Sequence, residues 1–191
     1  YPAQFGGGDD ALLVFNHPGR EDAIKGIVEP LGGDPAYTFN DFRYVAAADR
    51  RVVGLEVFGK GSEYDSGGPG GSWLSYALDK GWHVGAVGSE DHHDTEWGDP
   101  DLPKTVLVAR SRSRDDLREA MQARRFYAVA QFYNDLRMTF TLDGSPMGSR
   151  LRRPAGSQLP LSVSLTRNGG DFIAIVEVVT RNNAVVATLT G

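Results

Sequence analysis

The segment His83-Val84-Gly85-Ala86-Val87-Gly88-Ser89-Glu90-Asp91-His92-His93-Asp94 carries the strongest structural signal in the chain. Residues 83–87 form a short, largely apolar stretch of strand length, and residues 90–94 place two imidazoles and three carboxylates within five positions. Histidines and acids at the end of a buried strand are the side chains that hold divalent ions in α/β metallohydrolases. The segment therefore predicts a strand with a metal site at its carboxyl end.

Similar apolar stretches recur along the first two thirds of the chain. One of them is followed by Asn16-His17-Pro18, and another contains Glu56 and ends in Gly59-Lys60-Gly61. The predicted strands are 11–15, 52–58, 83–87 and 105–109, and the predicted helices are 72–80 and 114–125, with Ser72 and Ser113 as N-caps. Such alternation predicts an α/β domain over residues 1–130 with a mostly parallel sheet. Ligands of such domains lie beyond the carboxyl ends of the strands.

Residues 131–191 have a different pattern. Residues 136–142 alternate between apolar and polar and end in Asp143-Gly144, a hairpin turn signal. Three further strands are predicted over 159–165, 172–179 and 185–189, without a helical pattern between them. Strands joined by turns alone predict a β-sandwich-like segment, and four strands predict an incomplete one.

Two sets of side chains are candidates for metal binding after the central strand. Adjacent side chains of an extended segment point to opposite sides. Asp91 and His93 can therefore share one side, and Glu90 and His92 can share the other. The register with Asp91 and His93 is favoured, but spacing alone leaves the other open. His17, which follows a different strand, is the candidate third ligand.

Two other titratable residues lie in or beside predicted strands. Glu56 is the only acid in an otherwise apolar strand, and a buried carboxylate needs a metal, a cation or hydrogen bonds to offset its desolvation. A structural salt bridge and a pocket-lining role both satisfy that need. His83 lies at the opposite end of its strand from the acid and histidine cluster, so its interpretation is structural.

Composition excludes several classes of function. The chain of 191 residues has a net charge of −5 and no clustered Lys/Arg groove, which argues against binding to nucleic acid. No apolar run approaches the ~20 residues that a membrane-spanning helix needs. Because there is no cysteine, any metal would be held by His, Asp, Glu and water. The chain begins with Tyr1, which indicates a processed product or an excerpt. Its glycine-rich loop and overall composition slightly favour an exported bacterial protein over a cytoplasmic one.

Three motifs in order resemble a known family. Asn16-His17-Pro18-Gly19, Gly54-Leu55-Glu56-Val57-Phe58 and Gly88-Ser89-Glu90-Asp91-His92-His93 are similar to the later motifs of the PHP (polymerase and histidinol phosphatase) family of metal-dependent phosphoesterases. Residues 104–127 resemble the carbaryl-hydrolase-like subgroup, and residues 136–191 are similar to the first strands of the small sandwich that follows in that subgroup. The resemblance covers most of the chain.

The resemblance implies a fold, a cofactor and a partner. The fold is the second half of a distorted, PHP-type (β/α) barrel, followed by the sandwich-like segment. The cofactor is a set of divalent ions (zinc, manganese or iron) held by His17, Asp91 and His93. The family's opening His-x-His motif has no counterpart here, so a complementary N-terminal fragment or chain is expected as a partner.

Two hypotheses about function follow. The first is a metal-dependent hydrolase that activates water with divalent ions and acts on small phosphoester or ester substrates. No residue is an obvious general acid, so the catalytic residues stay unassigned, and Glu56 is a candidate for lining the pocket. The alternative is a non-catalytic binding or scaffold module that retains part of the fold.

Overall fold

Strands outweigh helices in this protein. A computed structural model of the chain describes residues 11–20, 38–168 and 175–190. Within these residues 34% lie in strands and 18% in helical segments. The strands form four small sheets rather than one continuous one.

The largest sheet is built around strand β2 (Val52–Gly59), which is buried over nearly its whole length. Strand β1 (Leu13–Phe15) pairs with it in parallel on one side, and strand β4 (Gly85–Ser89) pairs in parallel on the other. The short strand β3 (Ser62–Glu63) folds back antiparallel onto the end of β2. The apolar run of β2 suits a central strand with both faces covered. The parallel pairing places the carboxyl ends of β1, β2 and β4 at one edge.

The other three sheets are antiparallel. Strand β5 (Lys104–Leu107) pairs with β6 (Phe126–Val129). Strand β7 (Arg137–Leu142) pairs with both β8 (Ser145–Pro146) and β9 (Leu161–Thr166). Strand β10 (Ile175–Thr180) forms a hairpin with β11 (Ala184–Thr190).

The predicted PHP-type (β/α) barrel is wrong. Within the described ranges, five of the seven strand pairings are antiparallel. A barrel of this type requires each new strand to extend one parallel series. Strand β5 instead starts a separate sheet with β6, so the parallel series stops at three strands. Each of the four predicted strands overlaps an observed one, and the first three pair in parallel as expected, but the fourth does not extend their series.

Residues 131–191 do form strands, but the described residues place them in two separate small sheets. Two sheets of a sandwich bury their inner faces against each other. The β8-β7-β9 and β10-β11 sheets are separate, and every residue of β11 is exposed. Ile175, Val186 and Leu189 are each at least 60% exposed. Residues 172–174, which begin the predicted strand 172–179, lie outside the described residues.

The helices are short. Helix α1 (Phe39–Phe42) is a single turn with positive φ at all four residues. Helix α2 (Trp73–Asp79) begins after Ser72, whose side chain accepts a hydrogen bond from the amide of Ser75. Helix α3 (Arg114–Gln122) begins after Ser113, which accepts from the amide of Asp116 in the same way. Both predicted N-caps are therefore confirmed, since each hydroxyl satisfies an amide in the first turn.

The core lies between β2 and α2. Leu55 on β2 and Trp73 and Ala77 on α2 are almost fully buried, and Phe42 fills the space beside them. The core packs against the parallel sheet and holds its strands in place. Their carboxyl ends carry the candidate site.

Candidate functional site

Parallel pairing brings His17 to Glu56. Phe15, at the end of β1, is the partner of Leu55 on β2. His17 therefore follows β1 at the level where Glu56 sits on its neighbour. Glu56 is 3% exposed, so its charge depends on partners within the protein.

Glu56 holds both the backbone and the ring of His17. Its Oε2 atom accepts from the His17 amide at 2.6 Å and lies 2.9 Å from His17 Nδ1. The hydroxyl of Ser89, at the end of β4, donates to its other oxygen. These three contacts offset the desolvation of the buried carboxylate. They also occupy Nδ1 and leave Nε2 as the ring nitrogen available to a ligand.

The predicted ligands His17, Asp91 and His93 line one cavity of about 400 Å³. Each follows one of the parallel strands β1 or β4, which explains how distant parts of the chain reach the same edge of the sheet. The cavity also has cationic and hydroxyl groups in its wall. Its full lining among the described residues is His17, Arg20, Lys60, Ser62, Tyr64, Asp91 and His93.

The alternative pair, Glu90 and His92, faces other partners. Glu90 forms an ion pair with Lys104 at 2.7 Å and accepts from the amide of Gly98. The hydrogen bond from Lys104 is the main reason that the pKa of Glu90 lies below its ordinary value. Nδ1 of His92 lies 2.5 Å from the carbonyl oxygen of Glu96. Neither residue lines the cavity, so both brace the loop after β4.

The donor types in the cavity suit a divalent ion, but the donors are not closely grouped. Two imidazoles and a carboxylate are ligands that zinc, manganese and iron accept. Asp91 Oδ1 and His93 Nε2 lie 3.7 Å apart. Within residues 11–20, 38–168 and 175–190, no group of three or more such side chains is close enough to hold one ion. The assignment of His17, Asp91 and His93 as ligands stays a prediction.

Sequence reasoning missed four residues of the cavity wall: Arg20, Lys60, Ser62 and Tyr64. Lys60 was visible as Gly59-Lys60-Gly61 at the carboxyl end of a predicted strand, which is the same signal that located His17. Ser62 and Tyr64 carry no such signal. They reach the cavity only because β3 folds back onto β2, and no local sequence pattern predicts that pairing.

Tyr64 connects the charged groups of the site. It is 8% exposed, and its ring lies under the guanidinium of Arg20 at 5.2 Å. Burial raises the pKa of Tyr64; the charge of Arg20 opposes the rise, and those of Glu56 and Asp91 add to it. The phenol therefore keeps its proton at neutral pH and can act as a hydrogen-bond donor. A side chain at Gly59 would collide with Tyr64 and Glu56, so glycine permits their close approach.

Three residues of the cavity have an unusual backbone. His17, Lys60 and Asp91 have φ values of 35°, 49° and 49°. The proline after His17 favours an extended residue, yet the structure places His17 in the left-handed region. Such conformations carry a cost for residues with a side chain and cluster at functional sites. At each of these positions the chain turns sharply out of, or soon after, a strand, which directs three side chains toward one space.

A second carboxylate–histidine pair lies at the opposite end of the sheet. Asp49 is buried, and its Oδ2 lies 2.9 Å from both His83 Nδ1 and Arg150 Nη2. Arg124 donates to the backbone carbonyls of Asp49, Val52 and His83. Burial alone would raise the pKa of Asp49, but the hydrogen bonds from His83 and Arg150 outweigh it and the pKa is lowered.

Comparison with known proteins identifies no relative. No family model matches the chain, no curated protein matches it, and no solved structure matches it. Among the helices of the described ranges, none has the length and apolar character needed to cross a membrane. The function must therefore be argued from the cavity itself.

Proposed function

We propose that this chain is a metal-dependent phosphoesterase whose site is the 400 Å³ cavity at the carboxyl ends of β1, β2 and β4. The observation that carries the proposal is the buried Glu56, which orients His17 at the edge of a cavity shared with Asp91 and His93. The proposal keeps the activity that the motifs imply but not the barrel fold, which the strand pairing overturns.

The Glu56–His17 contact is the arrangement that metal-binding histidines use. A ligating histidine usually donates its second ring N–H to a carboxylate, which fixes the tautomer and orients the ring. A carboxylate accepts only, so the Nδ1 proton of His17 points to Glu56 and the lone pair lies on Nε2. Glu56 thus acts as a positioning residue, and His17 presents the nitrogen that a divalent ion would take.

Two cations in the wall suit an anionic substrate. Arg20 and Lys60 line the same cavity as the candidate ligands. Arginine and lysine both bind phosphate strongly, arginine through paired hydrogen bonds and lysine as a point charge. A phosphoester placed here would have its oxygens held by these cations, with Tyr64 as a further hydrogen-bond donor. An uncharged ester would make no use of them.

The reaction needs few groups from the protein. Divalent ions, when bound, would lower the pKa of a water molecule and polarise a phosphoryl oxygen. In hydrolysis the water oxygen bonds to phosphorus, the bond from phosphorus to the alcohol oxygen breaks, and the alcohol leaves with a proton. Arg20 and Lys60 bind the phosphoryl group through this change, while Glu56 keeps His17 in one orientation.

Elemental analysis combined with phosphate release tests the proposal. The purified chain is expected to retain zinc, manganese or iron and to release phosphate from small phosphoesters. His93→Ala and Asp91→Ala are expected to lose the metal and at least about 100-fold in activity, because outer-shell partners alone are worth about 10–100-fold. A folded chain that binds none of these ions and releases no phosphate after they are added would overturn the proposal.

A non-catalytic module that binds anions is the second candidate. The observation that favours it is the lack of a closely grouped set of three donors in the described residues, beside two cations that need no metal to bind phosphate. Such a module would bind inorganic phosphate in the presence of a chelator, and His93→Ala would leave that affinity unchanged. Lys60→Ala would weaken phosphate binding whether the chain is a hydrolase or a non-catalytic module.

A further inference from the structure

A second cavity of about 540 Å³ adjoins the proposed phosphate site. The two cavities share three wall residues, Arg20, Ser62 and Tyr64. The remaining walls come from the chain after His17 and from the segment that runs from the end of β3 to the start of α2. Within the described residues these are Pro18, Gly19, Glu63, Ser66, Gly67 and Trp73. A volume near 500 Å³ is typical of sites for small organic molecules.

The second cavity differs from the first in its charge. Its described lining contains none of the candidate metal ligands, and the one charge there beyond the shared Arg20 is the carboxylate of Glu63. Glu63 is held in place because its oxygens accept from the amide and the hydroxyl of Ser66. A fixed carboxylate repels a second anionic group but accepts hydrogen bonds from hydroxyls. Ser62 supplies a hydroxyl that can donate or accept, and the Ser66 hydroxyl, which donates to Glu63, can still accept.

Small and apolar residues provide the remaining surface. Gly19 lies close to the edge of Trp73, since a Cβ atom there would come within 3.1 Å of the indole, whereas Gly67 has room for a Cβ atom at ordinary contact distance. The indole of Trp73 is 1% exposed and therefore forms a wall rather than a stacking platform. Pro18 adds an apolar surface. Hydroxyl partners combined with apolar walls suit a ring that carries hydroxyl groups on its edge and C–H groups on its faces.

We infer that the second cavity binds the alcohol part of the substrate, and that this alcohol is an uncharged polyhydroxylated ring such as a sugar. The inference rests on the proposed function for the location of the phosphate. Arg20 and Tyr64 lie in both walls, so they would contact the substrate at the junction where the phosphate joins the alcohol. The preferred substrate is then a sugar phosphate, and the specificity-determining residues are Glu63 and Ser66.

Gly67 offers a way to fill the second cavity without touching the first. A Cβ atom at Gly67 would lie 3.5 Å from Trp73 Nε1, an ordinary contact, and the φ of Gly67 is not in the left-handed region. Gly67→Leu therefore adds a side chain to the cavity at little backbone cost. Gly67→Ala is the matched control, since it makes the same backbone change but leaves most of the space.

Calorimetric titration in the presence of a chelator measures binding without metal or turnover. The wild-type chain and Gly67→Ala are expected to bind glucose 6-phosphate roughly tenfold more tightly than ethyl phosphate, and Gly67→Leu is expected to lose that preference. Affinity for ethyl phosphate should stay within about twofold in all three, because its phosphate lies in the first cavity. Thermal unfolding of each variant confirms that it is folded.

The outcomes separate this inference from the proposed function. Equal affinity of the wild-type chain for the two phosphoesters, or a preference that survives Gly67→Leu, overturns the sugar subsite even if the protein hydrolyses phosphoesters. A preference lost only in Gly67→Leu supports the subsite, even if no hydrolysis is found. With metal added, the same pattern in kcat/KM for the two substrates would support both.

Discussion

The two carboxylate–histidine pairs of this protein have the same internal geometry and opposite surroundings. In each pair a carboxylate oxygen lies 2.9 Å from Nδ1, the carboxylate side chain is at most 6% exposed, and the imidazole is about 40% exposed, 38% for His17 and 44% for His83. Glu56–His17 opens onto a cavity with cations and further ligand-type side chains. In Asp49–His83 the carboxylate also forms an ion pair with Arg150.

The two pairs differ in which groups donate hydrogen bonds or positive charge to the buried carboxylate. Asp49 receives Arg150 in addition to His83, so its charge is neutralised by an ion pair. Glu56 receives two contacts from His17 and a hydroxyl from Ser89, none of which carries a permanent positive charge. The cations near Glu56 line the cavity instead. A buried carboxylate–histidine pair is therefore not a functional site by itself, and its neighbours decide whether it binds a ligand or holds the fold together.

The largest expected effect comes from removing each histidine in turn. His17→Ala is expected to lower kcat/KM for phosphoester hydrolysis by about 100-fold or more, since it removes a proposed ligand whose outer-shell contacts alone are worth about 10–100-fold. His83→Ala is the matched control, with an imidazole removed from an equivalent pair. Its activity should stay within about twofold of the wild type, because no candidate ligand contacts it. Equal losses of activity in the two variants would show that the Glu56–His17 pair has no functional role that the Asp49–His83 pair lacks.

The next effect is on stability. Asp49→Asn is expected to lower the free energy of unfolding by about 2 kcal/mol, because hydrogen bonds to a charged group contribute about 1.5–3 kcal/mol. The change weakens the contacts with His83 and Arg150, which connect the loop before β2 to the residues just before β4 and to the segment between β8 and β9. Urea denaturation measures the loss, and activity per folded molecule should be unchanged. An Asn variant as stable as the wild type would mean that this pair is not a structural link.

The smallest effect is the acid dependence of that same link. Because the folded-state pKa of Asp49 lies below the unfolded value of 3.8, its contribution to stability is present above pH 3.8 and is lost as the pH falls through the folded pKa. The difference in unfolding free energy between wild type and Asp49→Asn should therefore be constant at neutral pH and shrink below pH 3.8. A difference that grew on acidification would contradict the lowered pKa.

The sequence predicted local features well and pairings poorly. The run of apolar residues over 52–58 marks β2 because a buried strand needs apolar side chains on both faces. Ser72 and Ser113 mark helix starts because a hydroxyl caps the first-turn amides. No local sequence pattern of this kind predicts the antiparallel pairing of β5 with β6. That pairing depends on how α3 returns the chain, so the alternation of strands and helices predicted a parallel series that continues beyond β4, whereas the observed series stops there.

The candidate site shows the same division. His17, Glu56, Asp91 and His93 were found in the sequence because acids and histidines are rare at the ends of apolar strands. Arg20, Ser62 and Tyr64 were not, since single arginine, serine and tyrosine residues have many ordinary roles in a protein. The places of Ser62 and Tyr64 in the wall depend on β3 folding back onto β2.

The amino-acid sequence alone determined which segments are apolar enough to be strands, where α2 and α3 begin, and which residue types can bind a metal. Those properties depend on side chains within a few positions of one another. Only the tertiary structure decided that Glu56 orients His17, that Asp91 rather than Glu90 faces the cavity, and that Asp49 forms an ion pair with Arg150. The Glu56–His17 and Asp49–Arg150 contacts join residues 39 and 101 positions apart, and only the folded backbone brings such distant groups within hydrogen-bonding distance.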